Sequence, residues 1–125
     1  MTAASPIEVS VKTRYLEEQS DPQQRRYVFA YTVTIVNNGD EAATLQSRHW
    51  LIIDGDEKVQ EVRGSGVIGE QPTIAPGDHY EYASGAVLET PTGTMEGSYQ
   101  MISESGESFE APIAMFSLIH PSALH

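Results

Sequence analysis

Gly64, Gly66 and Gly69 stand in G-x-G-x-x-G spacing within the run Val62-Arg63-Gly64-Ser65-Gly66-Val67-Ile68-Gly69-Glu70-Gln71-Pro72. That spacing cradles a pyrophosphate when the loop joins a strand to a helix, whose N-terminus offers unpaired N–H groups and a positive dipole end. Here Gly69 is followed by Glu70, Gln71, Pro72, Thr73, Ile74, Ala75 and Pro76, and the two prolines stop any helix before its second turn. The spacing therefore reads as a surface loop whose glycines permit positive φ and a close backbone bend. A second reading stays open: N–H groups of a glycine-rich turn can form an anion nest without a helix, with Arg63 beside it and Glu70 opposing. On that alternative the chain binds a nucleotide or pyrophosphate through this loop. Glu89 stands about twenty residues on, where a ribose-binding acid is sought.

Other spacings that could do chemistry break down on inspection. Asp54-Gly55-Asp56-Glu57 opens like a calcium loop, but the fifth, sixth and twelfth positions hold Lys58, Val59 and Ser65 in place of a ligand, glycine and glutamate. His49, His79, His120 and His125 form no H-x-H or H-x-x-x-H pair, and there is no cysteine, so no metal site is expected. His49, between Arg48 and Trp50, reads as a packed structural residue and His79 as a solvated turn residue. Ser65, Ser84, Ser98 and Ser103 lack a G-x-S-x-G context, while Glu81, Glu89 and Glu96 read as solvated faces. No nucleophile–base pair emerges, so neither an enzyme nor a resident cofactor is expected.

Strands carry these residues. In 26–37, Tyr27, Phe29, Tyr31, Val33 and Ile35 share one face, which marks a central strand with its aromatic side in the core. Asn38-Gly39 then predicts a tight hairpin. The strand at 44–53 sets Leu45, Ser47, His49, Leu51 and Ile53 opposite Thr44, Gln46, Arg48, Trp50 and Ile52, and Trp50 is expected to fill the core. Asp54-Gly55-Asp56 turns into a short strand at 59–62. Further strands read at 7–16, 79–88, 97–103 and 109–118, with Tyr80 and Tyr82 expected in the core. Pro76-Gly77, Pro91 with Gly93, and Ser105-Gly106 punctuate them, and the polar stretch 17–25 links the first two strands. Pro112 makes the last strand an edge or a bulged one. About seven to eight antiparallel strands with frequent turns predict an all-β sandwich of immunoglobulin or fibronectin type III kind.

The 125 residues suit one domain with an ordered core over about 7–119 and a loose tail at 122–125. An apolar fraction of 39% supports a packed core. A net charge of −11 disfavours nucleic acid, whose phosphates would be repelled, and permits cationic partners. The opening residues lack the basic and apolar regions of a signal peptide, and no apolar run is long enough to span a bilayer, so a cytoplasmic location off the membrane is expected.

Several blocks together resemble the ApaG family, also called CorD. They are Ser47-Arg48-His49-Trp50-Leu51-Ile52, Glu61 through Pro72, Pro76-Gly77, Tyr80-Glu81-Tyr82-Ala83-Ser84-Gly85, Thr90-Pro91-Thr92-Gly93-Thr94-Met95 and Gly97-Ser98-Tyr99-Gln100-Met101, with the closing strand 109–118 following loosely. The resemblance covers nearly the whole chain. It implies a fibronectin III-like domain, association with cobalt tolerance and magnesium efflux, and a protein-binding role with no established enzymatic activity. With that background the expectation is a non-enzymatic interaction module in divalent-cation homeostasis, contacting a protein partner whose identity is unknown. A small-molecule ligand is disfavoured. The candidate contact residues are Arg63, Gly64, Ser65, Gly66, Gly69, Glu70 and Gln71.

Overall fold

A computed structural model describes residues 6–124. The alternating run at 27–37 forms β2 (Tyr27–Asn37), the middle strand of a three-stranded antiparallel sheet between β1 (Ile7–Tyr15) and β6 (His79–Leu88). The second sheet is built on β3 (Ala43–Asp54), flanked on one side by β7 (Thr92–Ser103) and then β8 (Ser108–Ile119). On its other side lies β4 (Val59–Ser65), with the two-residue β5 (Thr73–Ile74) further along the same edge. All pairings are antiparallel. The two sheets face each other as the expected immunoglobulin/fibronectin type III-like sandwich. Two short 3-10 turns, Glu17–Gln19 and Pro22–Gln24, fill the link between β1 and β2.

The inner faces meet around Trp50, which is 2% exposed and packs its indole against Tyr31, Phe116 and Tyr99 at centroid distances of 5.5, 5.9 and 6.3 Å. Phe29, Tyr31, Val33 and Ile35 of β2 are buried as expected, while Tyr27 is half-buried. Two β-bulges adjust which side chains point inward. An extra residue at Gln46 lets both Leu45 and Trp50 reach the core despite their opposite parity. A second bulge after Ile113 does the same for Ile113 and Leu118, so Pro112 lies on a strand that is both an edge and bulged.

Asn38-Gly39 is not a hairpin turn. β2 and β3 lie in different sheets, because each has an apolar face that must meet the other across the core. The crossover is organised by the buried Asn37 side chain, whose Nδ2 donates to the carbonyls of Glu41 (2.8 Å) and Ile74 (2.9 Å) and whose Oδ1 accepts from Gly39 N (2.9 Å). Gly39 is needed for close approach, since a Cβ there would sit 2.8 Å from the Cβ of Pro6. β7 also begins earlier than expected, at Thr92. Gly93 lies inside it because a Cβ would meet Leu88 Cδ1 at 2.7 Å and the Ile53 carbonyl at 2.8 Å.

The expected tail at 122–125 is described as far as Leu124. Pro121–Leu124 forms a 3-10 turn, anchored by the His120 ring against Tyr15 (4.5 Å) and Tyr27 (5.7 Å). His125 and residues 1–5 lie outside the described residues.

Candidate functional site

The glycine run occupies a gap in a sheet edge. β4 pairs with β3 at residues 47–53 and β5 pairs with it at 43–44, so the intervening loop spans the bulge at Gln46. The Gln46 carbonyl accepts from Gly66 N (2.8 Å) and from Gln71 Nε2 (2.9 Å), and Leu45 N donates to the Pro72 carbonyl (2.9 Å). Bulge and loop are one hydrogen-bonded unit, which satisfies the backbone groups that the extra residue takes out of register.

Within the loop, Val67 and Glu70 exchange both backbone hydrogen bonds, at 2.8 and 2.9 Å, leaving Ile68 and Gly69 as a two-residue turn. Their φ values, 43° and 80°, are both positive, as in a type I′ turn. Gly69 suits its position. Ile68 does not, because a β-branched side chain is disfavoured in the left-handed region. Val67 is fully buried and pins the loop into the core, while Ile68 at the tip is 57% exposed. Gly66 is obligatory: at φ 58° a Cβ would lie 2.0 Å from the Glu70 carbonyl oxygen. Gly64 makes room for the Arg48 guanidinium, whose Nη1 donates to the carbonyls of Ser65 (3.1 Å) and Gly66 (2.9 Å).

Glu70 reaches across to the other sheet, where its Oε1 accepts from the Tyr80 hydroxyl at 2.7 Å. That hydrogen bond, helped by desolvation, pushes the phenol's pKa up. Arg63 belongs to a different constellation on the outer face of β4. It approaches Glu61 at 3.4 Å, and Glu61 in turn meets His49 Nε2 at 2.7 Å. The His49 hydrogen bond, with Arg63 behind it, holds the Glu61 carboxyl below its ordinary range. His49 is thus a half-buried member of a polar row on the outer face, opposite Trp50, held there by its bond to Glu61. Glu89 is ion-paired with Lys58 at 2.9 Å.

The seven residues singled out from sequence therefore divide. Gly64, Ser65, Gly66, Gly69, Glu70 and Gln71 come together in and around the loop, and Arg63 stands apart on the outer face. Sequence reading took the loop from Arg63 to Pro72 as the candidate surface but gave no separate role to Ile68 at its tip or Val67 beneath it, nor to Arg48 and Gln46, which seat the loop. A local signal for Ile68 was present: it precedes a glycine at the apex of a glycine-rich turn, where asparagine is the usual choice. The amides of Gly66, Val67 and Glu70 are already committed to protein carbonyls, which removes most donors of an anion nest. Where a phosphate-binding helix would begin, the chain enters β5.

A family model described as "ApaG domain" matches residues 17–103. The chain is 61% identical over 119 residues to Protein ApaG of Pseudomonas putida, covering 95% of this chain and 94% of that one. It is 62% identical over 119 residues to Protein ApaG of Azotobacter vinelandii, with the same coverage. A crystal structure from Bordetella pertussis, described as an ApaA protein, superposes with a TM-score of 0.91 at 55% identity, covering 95% of this chain and 98% of that chain.

Proposed function

The chain belongs to the ApaG family, and on that premise we propose that it is a non-enzymatic interaction module that contacts another protein through the loop at 66–71. The resemblance that introduced the family links such a module to divalent-cation homeostasis, and the proposal includes that setting. One observation carries the reading. Ile68 is a β-branched residue held at positive φ with more than half its surface in solvent. It contributes little to the core and strains its turn, a combination that points to a role outside folding. The surrounding structure holds it rigidly through Val67, Gln71, Arg48 and the Glu70–Tyr80 tie, so little ordering remains to be done on binding.

Affinity capture from a cell extract with the wild type and with Ile68→Asp tests this. The variant should remain folded by circular dichroism and lose the proteins retained by the wild type. Equal retention by both removes the loop as the contact surface. The cation setting has its own readout: a strain carrying Ile68→Asp should respond to raised cobalt or magnesium as a strain lacking the gene does.

A further inference from the structure

The two sheets do not close on both sides. β1 lies against β8 on one side, but on the other the free edges of β4 and β6 stand apart. A cleft of about 320 Å³ lies between them, within the range of small-ligand sites. Gln60 of β4 and Ser84 of β6 belong to the inner faces of their strands, on the parity of Val62 and Tyr82, yet both are exposed because the sheets part there. Lys58–Glu89 at one end (2.9 Å) and Glu70–Tyr80 at the other (2.7 Å) tie the two edges together.

We propose that this cleft binds a ligand bearing a carboxylate on a small apolar body. Its lining includes Arg48 and no Asp or Glu, in a chain whose net charge is −11. The Arg48 Nη1 is committed to the loop, but no partner of its Nη2 or Nε is found among the described residues. A guanidinium edge is the group best shaped to grip a carboxylate. Two residues along the same face of β3, Trp50 also lines the cleft, and its indole Nε1 is buried with no acceptor among the described residues. A buried unpaired donor is costly, and it belongs to a residue that shares the cleft wall with Arg48. Val62, Ala86, Val87 and Met95 supply the apolar walls. The site is separate from the Ile68 tip and does not depend on the loop's role. It also departs from the sequence-based expectation that disfavoured a small ligand, because the gap between β4 and β6 is a property of sheet order.

Such a carboxylate has two sources, a free short carboxylic acid or the last residue of a peptide. Trp50 is the only tryptophan, so its fluorescence and its indole N–H resonance report on this cleft alone. Hexanoate, N-acetyl-leucine and N-acetyl-leucinamide are titrated into the full chain. The acids should give a saturable change in both signals, with the amide at least about tenfold weaker for want of the charge. Tighter binding of N-acetyl-leucine assigns the peptide source, and tighter binding of hexanoate the free acid. Ser84→Phe, which fills the cleft from an exposed position, should abolish binding while the protein stays folded, and Ile68→Asp should leave it unchanged. No saturable change with either acid up to about 10 mM, equal binding of the amide, or retained binding in Ser84→Phe overturns the proposal.

Discussion

At the scale of single residues, Ile68 and Gly66 make opposite predictions from the same turn. Ile68→Asn places Asn-Gly in a type I′ turn, the pair that favours positive φ at both positions, and removes a side chain that is 57% exposed. Its stability by chemical denaturation should rise by about 0.5–1 kcal/mol. Gly66→Ala should fall by more than about 2 kcal/mol, because the added Cβ collides with backbone 2.0 Å away and cannot be relieved by a rotamer. Gly69→Ala meets nothing within 4 Å and should cost only the strain of its φ, about 1 kcal/mol. The glycines could be read from sequence because their spacing is explicit. Their separate roles could not: Gly64 yields to the Arg48 guanidinium and Gly66 to the Glu70 carbonyl, contacts that exist only after folding.

At the scale of elements, period-two alternation located the principal strands, because each has one face in the core. It failed where a bulge changes parity, as at Gln46, and where an Asn-Gly pair joins two sheets instead of two neighbours. β5 has only two residues and leaves no periodic trace. Across the core, Tyr82 of β6 and Tyr99 of β7 share a hydroxyl–hydroxyl hydrogen bond that links the sheets. Burial pushes the Tyr82 pKa up to about 12, and burial likewise raises that of Tyr99. A raised phenol pKa means that the folded state holds its proton more tightly than the unfolded chain. The contribution is fully present below the unfolded value of about 10 and is lost as pH rises toward 12. Denaturation midpoints should therefore decline steadily over that window. Tyr82→Phe alone should cost about 1–3 kcal/mol by stranding the Tyr99 hydroxyl, and the double change to Phe should cost less than the sum of the two singles and flatten the alkaline decline.

At the scale of the molecule, the sandwich acts as a scaffold with two distinct features: a pinned loop at one sheet edge and an open cleft between β4 and β6. The fold class and the glycine run were legible because both are local patterns. The cleft was not, since it depends on which edges the strand order leaves unpaired. The net charge of −11 and the committed loop amides together predict that titrated pyrophosphate leaves the Gly64, Gly66 and Gly69 resonances unmoved; saturable shifts there would restore the anion-binding reading. A loop tip shaped for a partner at some expense to stability should trade one property for the other. The decisive measurement is on Ile68→Asn, with thermal stability and affinity capture taken from the same preparation. The Ile68→Asn protein should melt higher than wild type yet no longer retain the wild-type partners. A variant that retains those partners in full would contradict a tip shaped for a partner.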